Sequence, residues 1–231
     1  LDKLAGTVEE AACLIEGLPG DEADRPRTIQ GFETTTQGAV LHVVEHFAKN
    51  TNFQLVVLDK LSYASKGYDR LRDTGVFHQI ETFCFDLNNP MPPGLFYEMD
   101  APSIEVILHI AAETHVDNSI DTPVPFVENN IKSTLHLLEF ARRLPKLKNF
   151  VYFSTDEVYG SAAEGEAFKE GDPHKPSNPY SASKSAAEMI CQSYHNTYGV
   201  PLMVMNEGRS PSRSFSCVTI EPMPGCTRLP L

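Results

Sequence analysis

No apolar run in this sequence approaches the roughly 18–20 residues that a bilayer span requires. None follows Asp2 and Lys3 as the core of a secretory leader would. Basic side chains are scarce: 19 Lys and Arg stand against 31 Asp and Glu, a net charge of −12. With no Lys/Arg cluster as well, a nucleic-acid groove is excluded. Cysteines are few and scattered, at Cys13, Cys84, Cys191, Cys217 and Cys226, with no Cys-x-x-Cys pair, and Cys84 and Cys191 fall on apolar faces and read as core. That argues against a disulfide framework and a zinc site, so no metal is expected. These absences imply a soluble cytoplasmic protein with neither a membrane nor a nucleic acid as partner. What is present suits one α/β domain: 231 residues, 41% of them hydrophobic, enough for a core. Collagen-like, mucin-like and wholly disordered classes do not have this composition.

Short apolar runs alternate with helical periods through the middle of the chain. Gln54–Leu58 reads as a buried strand ending at Asp59, and Thr82–Phe85 as one ending at Asp86. Glu105–Ile110 ends at Ala111-Ala112, Phe150–Phe153 at Ser154, and Pro201–Met205 is a weaker fifth run. Helical periods cover Val40–Lys49, Val124–Arg143 and Pro179–Tyr198. In the second of these, Phe126, Ile131, Leu135, Leu138 and Ala141 mark one apolar face. Continuous apolar strands separated by helices predict a doubly wound, Rossmann-like parallel sheet covered on both faces. Leu1–Leu18 has the pattern of an amphipathic helix, and Pro19–Arg27 that of a charged linker. From Glu207 onward, Pro and Ser dominate without periodicity. The expected organisation is an extension over 1–30, a cofactor-binding domain over 31–206 and a disordered tail over 207–231.

The chemistry concentrates in two segments. Ser154-Thr155-Asp156-Glu157-Val158-Tyr159-Gly160 lies just past the carboxyl end of a buried strand, where open α/β sheets bind ligands. Tyr180-Ser181-Ala182-Ser183-Lys184 opens a helix, and a spacing of four places Tyr180 and Lys184 on one face. An ammonium beside a phenol favours phenolate, making Tyr180 a usable base near neutral pH. Neither segment is specific alone, since Tyr-x-x-x-Lys recurs by chance and paired carboxylates in a turn are commonly just solvated. Their combination, in this order, is specific.

With Val57–Ala64, His109–Ser119, Phe150–Gly160 and Asn178–Lys184, the chain resembles the extended short-chain dehydrogenase/reductases. Within them it is similar to the nucleotide-sugar 4,6-dehydratases, of the dTDP-glucose 4,6-dehydratase type, from about Val43 to Met205. Thr155-Asp156-Glu157 separates it from related epimerases, which lack both carboxylates there. The resemblance implies that Tyr180, assisted by Lys184, takes the proton from a sugar 4-hydroxyl that Thr155 aligns, as hydride passes to NAD. It implies Glu157 as the base at C5 and Asp156 as the acid for the departing 6-hydroxyl. The expected substrate is a nucleotide sugar and the expected product its 4-keto-6-deoxy form.

For the cofactor, the resemblance implies an adenosine-ribose contact at Asp59, favouring NAD over NADP, with Lys60 and Ser62 beside it. Asp86 and Leu87 match the adenine side, Ala111, Ala112 and Thr114 the loop along the cofactor, and Asn130 a helix position near the catalytic residues. Tyr180 and Lys184 also face the cofactor. Ser133 stands where the family usually has glycine. Two departures are larger. The family's glycine-rich phosphate loop is represented only by Gly31 and Gly38, and Pro26–Gln30 makes a poor strand, so the first strand is expected to be degraded. Beyond Met205 the sequence does not continue into the family's substrate domain, so the chain alone is expected not to turn over a nucleotide sugar. Competing readings are a non-catalytic relic of the fold and, more distantly, an epimerase or decarboxylase. The long helices Val124–Arg143 and Pro179–Tyr198 are the expected homodimer surface.

Overall fold

Alternate residues of the apolar run Gln54–Leu58 point to opposite sides. Val56 and Leu58 join one core with Ile107, Phe150 and Tyr152, while Leu55 and Val57 join another with Val106, Leu108 and Val151. Burial on both faces is what a parallel sheet between helical layers requires. The computed structural model describes residues 27–32, 37–61, 69–161, 168–169, 171–206 and 216–219. Its strands are β1 (Arg27–Phe32), β2 (Gln54–Asp59), β3 (Ile80–Cys84), β4 (Ile104–His109), β5 (Asn149–Phe153), β6 (Leu202–Asn206) and β7 (Ser216–Thr219). They form one sheet in the order β3-β2-β1-β4-β5-β6-β7. β7 is antiparallel to β6, and all other pairs are parallel. The doubly wound expectation holds.

The helices are α1 (Gln37–Asn50), α2 (Asp69–Asp73), α3 (Pro93–Glu98), α4 (Val116–Asp121), α5 (Val124–Val127), α6 (Ser133–Ala141) and α7 (Pro179–Tyr198). α1 covers one face through Val43, Val44 and Phe47. α6 and α7 cover the other through Leu137, Leu138, Phe140, Ala187 and Cys191. Asn178 caps α7 through a reciprocal pair with Ser181, and Gly199 ends it in the left-handed region at φ 72°.

Four expectations are corrected. The first strand is formed, starting at Arg27 within the stretch read as an extension. It pairs with β2 from Arg27↔Gln54 to Phe32↔Asp59 and with β4 from Thr28↔Val106 to Gly31↔His109. A central strand receives ladder bonds from both neighbours, and that context outweighs weak propensity. The tail read as disordered contributes β7. The period Val124–Arg143 is not one regular helix: a π-turn at Glu128–Lys132 separates α5 from α6. Its wider turn changes the phase, so Leu135 is exposed while Thr134, Leu137 and Leu138 are buried. Cys84, read as core, is exposed because it ends the sheet's edge strand, whereas Cys191 is buried as expected. The helix read over Leu1–Leu18, the loop positions Glu33–Thr36 and Ser62 lie outside the described residues. Among the described residues no helix is long and apolar enough to cross a membrane, and no group of three or more His, Cys, Asp or Glu could hold a metal ion.

Candidate active site

The strand order reverses between β1 and β4, and ligands of such sheets sit beyond the carboxyl ends of the strands at that point. β5 delivers the acidic turn there. Thr155 opens it in extended conformation, its Oγ1 accepting the Glu157 N–H at 3.3 Å and lying 3.5 Å from Asp156 Oδ1. Val158 and Tyr159 are buried and anchor the turn, leaving the Asp156 and Glu157 side chains half-buried at the site. Gly160 closes the turn at φ 90°, ψ −152°, a region essentially reserved for glycine. A Cβ there would lie 2.5 Å from the Lys175 carbonyl oxygen. Gly160→Ala is therefore expected to cost about 2 kcal/mol or more, lowering Tm by roughly 4–8 °C for a chain of this size. A thermal melt matching wild type would contradict this geometry.

The turn is tied to the start of α7. The Lys175 N–H donates to the Val158 carbonyl at 2.9 Å, and Asn178 Nδ2 donates to Glu157 Oε2 at 3.3 Å. Asn178 thus caps α7 and holds Glu157 with the same side chain. Two residues on, Tyr180 is buried, its ring edge-on to Phe126 with centroids 6.5 Å apart. Its backbone N–H donates to Ser119 Oγ at 3.2 Å. One helical turn further, the Lys184 ammonium donates to the Phe153 carbonyl and stands 4.4 Å from the centre of the Tyr152 ring. Burial lowers Lys184 to about 8, against a partial rise from Cys191 and Glu188. Burial, with the Lys184 charge, pushes His109 down to about 3, so this buried imidazole is neutral and bonds Thr134 Oγ1 at 2.8 Å.

Asp59 ends β2, its Oδ1 accepting the Leu61 N–H at 2.7 Å. Burial raises its pKa, while that N–H and Lys60 pull it back. Lys60 follows half-buried, and beyond β3 Asp86 Oδ1 accepts the Asn88 N–H at 2.9 Å. Leu87 is buried in the core. Ala111 and Ala112 are buried after β4, with Thr114 half-buried beyond them. Asn130 lies in the π-turn, 1% exposed. Its Oδ1 accepts the Glu113 N–H at 2.7 Å, and its Nδ2 donates to the Glu113 carbonyl at 3.0 Å and Ser183 Oγ at 2.9 Å. It pins the loop after β4 to α7.

Sequence reasoning assigned no role to Asn178, Ser119, Glu113 or His174. Only the N-cap position of Asn178, before Pro179 at the helix start, carried a local signal. Glu188 accepts Ser154 Oγ–H at 2.7 Å and faces His174 Nε2 at 3.5 Å.

Residues 42–228 match the family described as GDP-mannose 4,6 dehydratase. The chain belongs to this family. Among curated relatives, the dTDP-D-glucose 4,6-dehydratase of Homo sapiens is 34% identical over 199 residues, 84% of this chain and 54% of that protein. The dTDP-glucose 4,6-dehydratase of Haemophilus influenzae is 36% identical over 184 residues, 73% of this chain and 52% of that one. The dTDP-glucose 4,6-dehydratase DesIV of Streptomyces venezuelae, crystallised with NAD, superposes with a TM-score of 0.65 at 27% identity. That match covers 78% of this chain and 55% of the other. An NAD complex of the Thermus thermophilus UDP-glucose 4-epimerase superposes with a TM-score of 0.62 at 26% identity, covering 77% and 53%. The chain spans about half the length of the curated relatives it matches. The resemblance to nucleotide-sugar 4,6-dehydratases is borne out, and both dehydratases and epimerases share the fold.

Proposed function

We propose that this chain carries the cofactor-binding and catalytic portion, over about 31–206, of a cytoplasmic NAD-dependent nucleotide-sugar 4,6-dehydratase of the dTDP-glucose type. One observation carries the reading: Asn178 joins the Thr155–Glu157 turn to the helix start that bears Tyr180 and Lys184. An oxidising pair and an acid–base pair thus share one strand-end site. The residues fit a dinucleotide. Asp59 ends β2 beside the switch point, where an acid bonds ribose hydroxyls and disfavours a 2′-phosphate. NAD, when bound, supplies a hydride acceptor for C4 of the sugar and a donor for C6. Tyr180 takes the 4-hydroxyl proton, Lys184 favours its phenolate, and Thr155 orients the hydroxyl. The resulting ketone acidifies C5. Glu157 removes that proton while Asp156 protonates the leaving 6-hydroxyl, because elimination needs a base and an acid at adjoining carbons. An epimerase reading leaves these two carboxylates without work.

Ile120, Val124, Val127, Met189 and Tyr198 are exposed apolar side chains on α4, α5 and α7, which supports pairing of two copies through these helices. The functional test joins the chain to the C-terminal half of a relative and supplies dTDP-glucose with NAD or NADP. The 4-keto-6-deoxy product is expected with NAD at about 1 per second or faster, and far more slowly with NADP. An epimerised sugar, no product, or preference for NADP would overturn the reading.

A further inference from the structure

We propose that Glu188 is a positioning residue that locks the acidic turn onto α7, using Ser154 on one carboxylate oxygen and His174 on the other. Glu188 lies four residues after Lys184, on the same face of α7. Its Oε2 accepts the Ser154 hydroxyl at 2.7 Å, and Ser154 immediately precedes Thr155-Asp156-Glu157. Its Oε1 lies 3.5 Å from His174 Nε2, with the Glu188 and His174 side chains only 12% and 15% exposed. The other ring nitrogen, Nδ1, lies 2.8 Å from Ser185 Oγ. Ser185 is buried in the body of the helix, where it holds the ring rather than meeting a substrate. The ring also stands edge-on to Tyr159, with centroids 5.1 Å apart, and Tyr159 is the last residue of the turn.

These contacts close a circuit: Ser154 at the front of the turn, Glu188 on the helix, His174 on the incoming loop, Tyr159 at the back of the turn. A carboxylate suits the centre because it accepts only, and both groups that face it can donate. Charge-assisted bonds in a half-buried site are stronger than neutral ones. Lys175, next to His174, bonds the Val158 carbonyl, so the circuit also fixes the backbone pair that carries Glu157. Without Glu188, the turn keeps its contacts to Asn178 and Lys175 but loses the Ser154 bond to the helix body.

The catalytic consequence rests on the dehydratase reading, whereas the structural consequence does not, so two readouts separate them. The first is amide hydrogen exchange on the full chain. In Glu188→Ala, the amides of Glu157, Val158 and Lys175 are expected to exchange faster by on the order of tenfold, the scale of losing one buried acceptor. Amides in the centre of β4 and β5 should be unchanged. Glu188→Gln, which keeps an acceptor oxygen and the shape, is expected to recover most of the protection. Ser154→Ala, which deletes a single bond, should show the same sign with a smaller effect and serves if Glu188→Ala does not fold. Unchanged exchange in Glu188→Ala, or in Ser154→Ala where that variant serves, overturns the proposal. A Gln variant no better than Ala does the same.

The second readout is turnover of dTDP-glucose by the chain joined to the C-terminal half of a relative. Glu188→Ala is expected to lower kcat by about 10–100-fold, since small misplacements cost that much. KM for the sugar should stay within about twofold and Gln should restore the rate. Equal loss in kcat and in sugar binding overturns the positioning role. If the joined protein with Glu188 intact makes no product, the dehydratase reading falls, and exchange alone decides the lock.

Discussion

In the chain joined to the C-terminal half of a relative, the proposed dehydration predicts that Glu157→Gln lets the 4-hydroxyl be oxidised and then stops the reaction, leaving the cofactor reduced and visible by absorbance. The substitution is nearly isosteric. Gln keeps an oxygen for Asn178 Nδ2, the contact seen at 3.3 Å, so the turn stays in place and the loss is chemical. A positioned general base contributes about 10²–10⁴-fold, and product formation should fall by that amount. Asp156→Asn should slow departure of the 6-hydroxyl while C5 still exchanges with solvent. In heavy water the Asn variant would load deuterium at C5 of recovered sugar and the Gln variant would not. Both variants forming product at the wild-type rate would remove the assigned acid and base.

Lys184→Met is expected to abolish useful turnover and yet stabilise the fold at pH 7. The side chain is 3% exposed, and burial takes its pKa from 10.5 to about 8. That shift corresponds to about 3 kcal/mol of penalty on the charged form. Methionine of similar length avoids it but leaves the Phe153 carbonyl without the ammonium, at a cost of about 1 kcal/mol. A net gain of about 1–2 kcal/mol remains. The pH dependence checks the cause. Between about 8 and 10.5 the unfolded chain holds a proton that the folded one has released, so wild-type stability rises with pH there. Burial of the Cys191 thiol, raised from 9.0, acts in the opposite direction at higher pH. The clean interval is therefore pH 8 to 9, and urea melts across it should show a rise in wild type that Lys184→Met lacks. A variant less stable than wild type at pH 7 would refute the account. Turnover is expected to fall because the proposed assistance of Tyr180 by the Lys184 charge is lost.

The sheet and the two chemical segments were legible because each is local. Leu55–Leu58 is a continuous apolar run, and Asn178-Pro179-Tyr180 announces a helix start. The first strand was not legible: Pro26 before Arg27–Phe32 and Gly31 within it weaken the local signal, and its place is set by β2 and β4, far along the chain. The π-turn left one trace, the gap of five between Phe126 and Ile131 in an otherwise helical spacing, which ordinary periodicity absorbs. Asp156, Glu157, Tyr180 and Lys184 could be nominated from order and type. What holds them could not, since Asn130, Glu188 and His174 act through partners that the sequence does not place nearby.

The same long reach governs how the protein reaches its native state. Asn130 meets Ser183 across 53 positions, Tyr180 meets Ser119 across 61, and Ser154 meets Glu188 across 34. β1 cannot take its seat between β2 and β4 until the chain as far as β4 has closed back on it. Loop closure of this kind is entropically opposed until the distant contact forms, and chains rich in such contacts fold slowly. Both the sheet and the site therefore depend on closing long stretches of chain rather than on local structure. A nascent chain released or cleaved before α7 would carry Asp156 and Glu157 without the helix that orients them, with the apolar face awaiting α7 open to aggregation.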